Sequence, residues 1–109
     1  MADTAIKKRM ARAKKYAAAK LGELGYCAVP FDNVHVCVIG FRSSEIRLVR
    51  IALDSITKDD VKRLASFPAP ATCAREIWLR SSGCLSFEIH DLKDLSSIKT
   101  PGVPVPRTG

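Results

Sequence analysis

Basic side chains are concentrated at the start of the chain. The first twenty residues contain seven of the eighteen lysines and arginines and one acid, Asp3, so they carry +6 of the formal net charge of +7. The rest of the chain is close to neutral, with eleven bases and ten acids. Clustered lysine and arginine attract polyanions and displace the counterions that condense on a phosphate backbone. The chemistry that this segment predicts is therefore phosphate binding.

Three carboxylates near the ends of strand-like runs could form a metal site. They are Asp32, Glu45 and Asp54. Magnesium needs several oxygen ligands that converge on one point, whereas these residues are separated along the chain. A turn position for Asp32 and a solvent-exposed strand end for Glu45 are the competing interpretations.

Cysteine and histidine spacing does not predict a metal or catalytic site. The four cysteines, Cys27, Cys37, Cys73 and Cys84, form no CxxC pair, and neither His35 nor His90 completes a zinc-binding pattern. Cys27, Cys37 and Cys84 lie in apolar runs, which predicts buried free thiols. The scattered glycines form no phosphate-binding loop. We therefore predict no cofactor and no metal.

The basic segment has helical periodicity. An apolar stripe is formed at 100° per residue by Ile6, Met10, Ala13, Ala17, Leu21 and Leu24. The bases occupy the rest of the circumference, and few acids alternate with them, which argues against a merely solvated face. Thr4 is a candidate N-cap and Gly25 a candidate C′ residue. The spacing thus predicts a helix that packs through one face and presents cations on the other.

Length and hydropathy indicate one globular domain. The chain has 109 residues and 47% hydrophobic content, and no apolar run approaches the roughly 18 residues of a membrane span. The N-terminus lacks the apolar region of a secretory signal. Its composition resembles a mitochondrial presequence, but its apolar stripe runs directly into the predicted core. We expect a cytoplasmic protein with no membrane contact.

The remaining periodicity predicts strands at 26–30, 34–41, 45–53, 75–80 and 85–90, and a second helix between the third and fourth strands. Ile46 and Leu48 are predicted to point inward and Val49 outward. Thr57 and Asp60 form a candidate capping box, and Pro68 stops that helix. The resulting order, αβββαββ, predicts an α/β (α+β) domain over residues 1–92, with a mixed sheet flanked by helices. We expect residues 93–109 to form a flexible, proline-rich tail.

This order and several sequence phrases resemble the PD-(D/E)XK nuclease superfamily, particularly the archaeal-type Holliday junction resolvases. The phrases are LGELGY, AVPFDNVHVCVIG, EIRLVRIAL, ITKDDVKRL and AREIWLR, and the resemblance covers roughly residues 7–90. It implies a restriction-endonuclease-like fold, magnesium held by carboxylates, a lysine that orients the nucleophile, and a homodimer on DNA.

The residues that the resemblance places in the catalytic motif are not catalytic types. Arg50 falls at the acid position and Ala52 at the lysine position, while the aspartate position falls near His35 or Val36. The helix glutamate of many resolvases would fall within 11–15, among basic residues. The resemblance therefore implies a scaffold that has lost its metal and its catalysis but keeps its affinity for phosphate.

We therefore predict a nucleic-acid-binding, catalytically inactive relative of these nucleases, with DNA or RNA as partner and a homodimer as assembly. The predicted phosphate contacts are Lys7, Lys8, Arg9, Arg12, Lys14, Lys15, Arg47 and Arg50. One alternative is a magnesium-dependent nuclease that uses Asp32, Glu45 and Asp54. Another is a protein-interaction subunit whose basic helix meets an acidic partner.

The large aromatic residues of the second half favour a core or interface role over base stacking. Trp78 and Phe87 each lie in or beside a predicted strand. If Trp78 lay exposed on an edge strand, dimerisation would be its natural use.

Overall fold

A computed structural model describes residues 2–31, 33–83 and 86–95, and the side chains from residue 4 onward. The elements are α1 (Ala2–Glu23), β1 (Cys27–Pro30), β2 (Val38–Arg42), β3 (Glu45–Leu53), α2 (Lys58–Ser66), β4 (Ala74–Arg80), β5 (Glu88–Asp91) and α3 (Leu92–Leu95). The strands form one sheet in the order β1-β2-β3-β4-β5. Strands β3 and β4 are parallel, and the other neighbours are antiparallel. The prediction of an α+β domain with a mixed sheet and flanking helices is confirmed.

The hairpin of β2 and β3 forms as predicted but starts later. Arg42 pairs with Glu45 across a turn in which Ser43 has a φ of 50°. The prediction of a strand from residue 34 is wrong, because β2 begins at Val38. The side chain of Asn33 accepts a hydrogen bond from the His35 N–H at 2.7 Å, and this local turn takes the backbone out of the sheet.

Strand β3 is covered on both faces. Val49 and Ile51 belong to the core beneath α1, whereas Leu48 and Ala52 belong to the core beneath α2. The sequence predicts that Val49 points outward, to solvent, and this prediction is wrong. Its side chain is fully buried, because α1 covers this face of the sheet.

Helix α1 packs through small and aliphatic residues. Ala13, Ala17 and Leu21 are fully buried, and Leu21 approaches β2 so closely that a Cβ on Gly40 would lie 3.1 Å from its Cδ2 atom. The predicted stripe is too long at both ends, since Ile6 is 52% exposed and Leu24 is 37% exposed. The sheet covers the helix only along its middle and C-terminal half.

The ends of α1 differ in how well the sequence predicts them. The helix begins at Ala2, so Thr4 lies within it and is not the N-cap. At the other end, the Tyr26 N–H donates to the Leu21 carbonyl at 2.9 Å and the Gly25 N–H donates to the Gly22 carbonyl at 3.0 Å. Gly25 has a φ of 91°. These two bonds form a Schellman motif and confirm Gly25 as the C′ residue.

Helix α2 begins and ends where the sequence predicts. Thr57 and Asp60 form the capping box, and the helix ends at Ser66, two residues before Pro68. The Arg75 side chain donates to the carbonyls of Leu64 and Phe67, each at 2.8 Å, which satisfies the C-terminal end of α2.

The C-terminal part of the described chain forms a sheet edge and a short helix. Strand β5 pairs antiparallel with β4, as predicted for a second hairpin or edge pair. Helix α3 includes residues 93–95, where the sequence predicts the start of an extended tail. Leu92 and Leu95 pack against the α2-side core, and this contact explains the difference. The rest of that tail, residues 96–109, lies outside the described residues.

Trp78 is part of the core and not of an edge. It is fully buried on β4, its ring centroid lies 5.3 Å from that of Phe87, and its Nε1–H donates to Glu76 at 3.0 Å. The condition under which Trp78 would mediate dimerisation is therefore not met.

The cysteines are only partly as predicted. Cys37 is buried. Cys27 is exposed, because β1 is an edge strand, and this corrects the prediction of a buried thiol. Cys73 is half-buried and Cys84 lies outside the described residues. Within the described segments, no helix is long and apolar enough to cross a membrane.

Candidate nucleic-acid interface

Three exposed cations lie on the side of α1 opposite its buried stripe, and a fourth, Lys7, is exposed beside them. We call Lys7, Lys8, Arg12 and Lys15 the outer ridge. Lys8, Arg12 and Lys15 follow the i, i+4, i+7 spacing opposite the buried stripe, and Lys7 flanks them. At 1.5 Å per residue this row is roughly 10 Å long. All four side chains are exposed, and no acid of the described residues lies within salt-bridge distance of them.

Arg9, on the flank of the same helix, is engaged inside the protein. Its guanidinium donates two hydrogen bonds to the Asp54 carboxylate, at 2.9 and 3.0 Å. Asp54 also accepts a hydrogen bond from the Ser82 N–H at 2.8 Å. Both interactions lower the pKa of Asp54, and the Arg9 hydrogen bond is the larger cause. Arg9 therefore ties α1 to the end of β3 and to the loop after β4.

Lys14 also differs from the outer ridge. Its side chain is half-buried and takes part in an interaction within the protein. Its position, on the side of α1 nearer the sheet, explains this burial. We therefore do not count Lys14 among the cations of the outer ridge.

The two candidate arginines of β3 have internal acidic partners. Arg47 lies 3.6 Å from the Glu76 carboxylate, and its guanidinium is 5.0 Å from the centroid of the Tyr26 ring. Arg50 lies 3.0 Å from Asp60, and only 15% of its side chain is exposed. The two arginines lie on opposite faces of the sheet, because their positions differ by an odd number of residues. The structure therefore does not bring them together with the outer ridge.

Two further arginines outside α1, Arg42 and Arg63, repeat this pattern of internal compensation. Arg42 pairs with Glu45 at 2.7 Å, and Arg63 pairs with Asp59 at 2.6 Å. Exposed pairs of this kind contribute little to stability, but they reduce the positive potential around each arginine. The outer ridge is thus a place where several cations lie close together with no described acid within salt-bridge distance.

The candidate carboxylates do not converge. Glu45 begins β3 and Asp54 follows its last residue, so nine residues of extended chain, about 30 Å, separate them. The Tyr26 hydroxyl and Arg42 each donate to Glu45 at 2.7 Å, and these bonds lower its pKa, the Tyr26 bond being the larger cause. Asp32 lies outside the described residues. Glu45 and Asp54 therefore cannot ligate the same metal ion.

At the positions where the resemblance to nucleases implies catalytic residues, the described side chains supply no oxygen ligands for a metal. Arg50 occupies the predicted acid position with its guanidinium on Asp60, and Ala52 is buried beneath α2. His35 places Nδ1 at 3.0 Å from the Arg63 carbonyl, so this ring nitrogen has a partner within the protein. The part of the chain that the structure describes contains no cluster of three histidine, cysteine or acidic residues able to hold a metal.

Sequence reasoning missed Arg80, the last residue of β4. Its guanidinium lies 4.4 Å from the centroid of the Tyr16 ring, on α1. The signal that could have found it is the order strand, helix, strand over residues 45–80. Two such strands are commonly parallel, so their carboxyl ends meet at one edge of the sheet. There, Arg80 and the polar loop that follows it lie beside the end of β3.

Comparison with protein-family models, with curated proteins and with solved structures finds no match to this chain.

Proposed function

We propose that this protein binds the phosphate backbone of nucleic acid through the outer ridge of α1. One observation carries the proposal. Lys7, Lys8, Arg12 and Lys15 are exposed with no described acid within salt-bridge distance, whereas four arginines of the rest of the chain are each paired with one. A row of uncompensated cations on a rigid helix is the arrangement that releases counterions from a polyanion.

The chemistry of the outer ridge favours phosphate contacts over base contacts. Three of its four residues are lysines, which act as flexible point charges and not as planar hydrogen-bonding forks. Contacts to phosphate position a protein on nucleic acid but carry no sequence information. We therefore expect binding with little sequence preference, to DNA or RNA.

The same proposal includes an inactive restriction-endonuclease-like domain. It is supported by the antiparallel succession β1, β2 and β3, followed by α2 and by β4 parallel to β3. It is supported further by Arg50 and Ala52 at the positions where a nuclease would supply an acid and a lysine. We expect no cleavage of duplex, single-stranded or branched substrates with magnesium or manganese. Cleavage that disappears in Glu45→Ala or Asp54→Ala would instead favour the nuclease alternative.

A charge reversal on the outer ridge tests the proposal. In Lys8→Glu/Lys15→Glu we expect loss of retention on duplex DNA and duplex RNA at moderate salt, because two attractive charges become repulsive. The matched control is Lys58→Glu/Lys62→Glu, which makes the same charge change at two exposed residues of α2. The readout is a mobility shift, with circular dichroism to verify folding.

The control should keep most of its affinity. Equal loss of binding in both double variants would mean that net charge alone matters and would contradict an interface on α1. Unchanged binding in Lys8→Glu/Lys15→Glu would contradict it as well. Retention of an acidic polypeptide in preference to duplex would favour the protein-interaction alternative.

A further inference from the structure

A cavity of about 190 Å³ lies beside the outer ridge, between α1 and the loop that follows β4. Its polar lining consists of Arg9, Arg12, Arg80, Ser81, Ser82 and Gly83. We call it the arginine pocket. Since one water molecule occupies about 30 Å³ in the liquid, the pocket has room for a small oxyanion and some water.

Arg80 carries a buried donor that has no partner among the described residues. Its Nη1 atom is shielded from solvent and makes no hydrogen bond to any described residue. The guanidinium is held between aromatic rings, 4.4 Å from the centroid of Tyr16 and 5.8 Å from that of Phe87. Buried polar groups in proteins nearly always have a partner, so the unpaired Nη1 leaves Arg80 with hydrogen-bonding capacity that the described residues do not use.

The charge of the arginine pocket is positive after internal compensation. Asp54 neutralises Arg9 through two hydrogen bonds. Neither Arg12 nor Arg80 has a described acid within salt-bridge distance. The pocket therefore has two uncompensated guanidinium groups, the side chain best suited to grip a phosphate or carboxylate.

Asp54 also fixes the shape of the pocket. It accepts the Ser82 N–H at 2.8 Å, and its own N–H donates to the Arg80 carbonyl at 2.9 Å. These bonds hold the loop after β4 against the end of β3 before any ligand arrives. A preformed site loses less conformational entropy on binding than a mobile one.

We infer that the arginine pocket binds one phosphate group, with Arg12 and Arg80 as its cationic contacts and the loop serines as hydrogen-bonding groups. Arg12 belongs to both the pocket and the outer ridge, so the source of the phosphate, a nucleic acid strand, rests on the proposed function. The group is either a phosphate at a strand end or a phosphodiester of the backbone. The two share the oxyanion chemistry that the pocket recognises.

Calorimetric titration of the full chain with inorganic phosphate, at an ionic strength held constant with chloride, tests the site. We expect saturable binding to the unmodified protein and at least a tenfold loss in Arg80→Gln and in Arg12→Gln. Lys62→Gln, an exposed cation on α2, should leave it unchanged. Arg12 is exposed, so its variant remains informative even if Arg80→Gln fails to fold. Absence of saturable binding, or binding in both arginine variants as tight as in the unmodified protein, overturns the inference.

Duplexes with 5′-phosphate or 5′-hydroxyl ends distinguish the two sources. If the ligand is a phosphate at a strand end, the hydroxyl duplex should bind more weakly than the phosphorylated one. Inorganic phosphate should then compete with the phosphorylated duplex only. A backbone ligand predicts equal binding of the two duplexes and a loss for both in Arg80→Gln. If Arg80→Gln changes the affinity for neither duplex, the inference that the arginine pocket binds a phosphate of nucleic acid is overturned.

The same data separate this inference from the proposed function. Phosphate binding without duplex binding would contradict the outer ridge and support the pocket. Duplex binding that depends on Lys8 and Lys15, with no binding of inorganic phosphate, would contradict the pocket and support the outer ridge.

Discussion

Asp54 connects three parts of the molecule through a single carboxylate. It binds Arg9 of α1, accepts a hydrogen bond from the Ser82 N–H of the loop after β4, and directly follows β3 with a φ of 71°. Asparagine tolerates this left-handed conformation and can still accept the Ser82 hydrogen bond. Asp54→Asn therefore removes the negative charge with little change of backbone.

For Asp54→Asn we expect duplex binding several-fold tighter than in the unmodified protein at low salt. The Arg9 guanidinium would lose its anionic partner beside the outer ridge, and local positive charge would rise. The measurement is a fluorescence anisotropy titration. Asp59→Asn, which releases Arg63 on α2 by the same charge change, is the matched control and should have a smaller effect. Weaker binding in Asp54→Asn would show that the Arg9–Asp54 ion pair is needed for folding. It would also show that Arg9, once released from Asp54, does not contact nucleic acid.

The Tyr26–Glu45 pair predicts an alkaline dependence of stability. The hydrogen bond to Glu45 is the main cause that raises the pKa of Tyr26 above its ordinary value near 10, and burial adds to it. Because the pKa is raised in the folded state, this contribution to stability is complete below about pH 10. It is lost as the pH rises through the folded pKa.

Urea unfolding at pH 8 and at about pH 11 measures this loss. We expect the free energy of unfolding to fall more steeply with pH in the unmodified protein than in Tyr26→Phe, which has no phenol to ionise. Parallel curves for the two proteins would mean that the hydroxyl contributes nothing to the pH dependence.

At the scale of elements, the position of α1 depends on how the helix ends. The Schellman motif turns the chain so that Tyr26 enters the same core as Leu21. Gly25→Ala would place a side chain at a φ of 91°, and we expect a cost of about 1 to 2 kcal/mol in the free energy of unfolding.

Gly22→Ala is the matched control on the same turn. Gly22 lies within α1, and an added Cβ would meet nothing within 4 Å. We expect it to stabilise the protein by about 0.5 to 1 kcal/mol, because alanine favours the helix over glycine. Urea denaturation measures both variants. A destabilisation in Gly22→Ala that equals that of Gly25→Ala would contradict the assignment of the left-handed turn to Gly25.

Elements whose signals are local could be predicted from the sequence. The capping box of α2, the Gly25 termination and the turn at Ser43 each depend on residues within a few positions of one another, and all three are present. The start of β2 was missed because the Asn33 side chain competes for a backbone N–H that the apolar alternation assigns to a strand.

The site was predicted less completely than the fold, because it depends on contacts between distant residues. The types and spacing of the cations on α1 follow from the sequence. The pairing of Arg9 with Asp54 joins residues 45 positions apart, and no periodicity indicates it. The same holds for Arg50 of β3 with Asp60 of α2 and for Arg80 against Tyr16. These contacts decide which cations stay uncompensated.

At the scale of the whole molecule, the charge is distributed unevenly. Most acids of the described sheet and of α2 pair with arginines there, whereas the outer ridge has no described acid within salt-bridge distance. On the proposed function, this row of cations would orient an approaching polyanion. The homodimer that the resemblance to resolvases implies stays a prediction.

The most direct test of phosphate binding by the outer ridge is the affinity for duplex DNA over a salt series from about 50 to about 300 mM. Four phosphate contacts predict a slope of log K against log salt of about −3.6, and Lys15→Gln should reduce its magnitude by about one. An affinity that does not change with salt, or a slope unchanged in Lys15→Gln, would contradict the account.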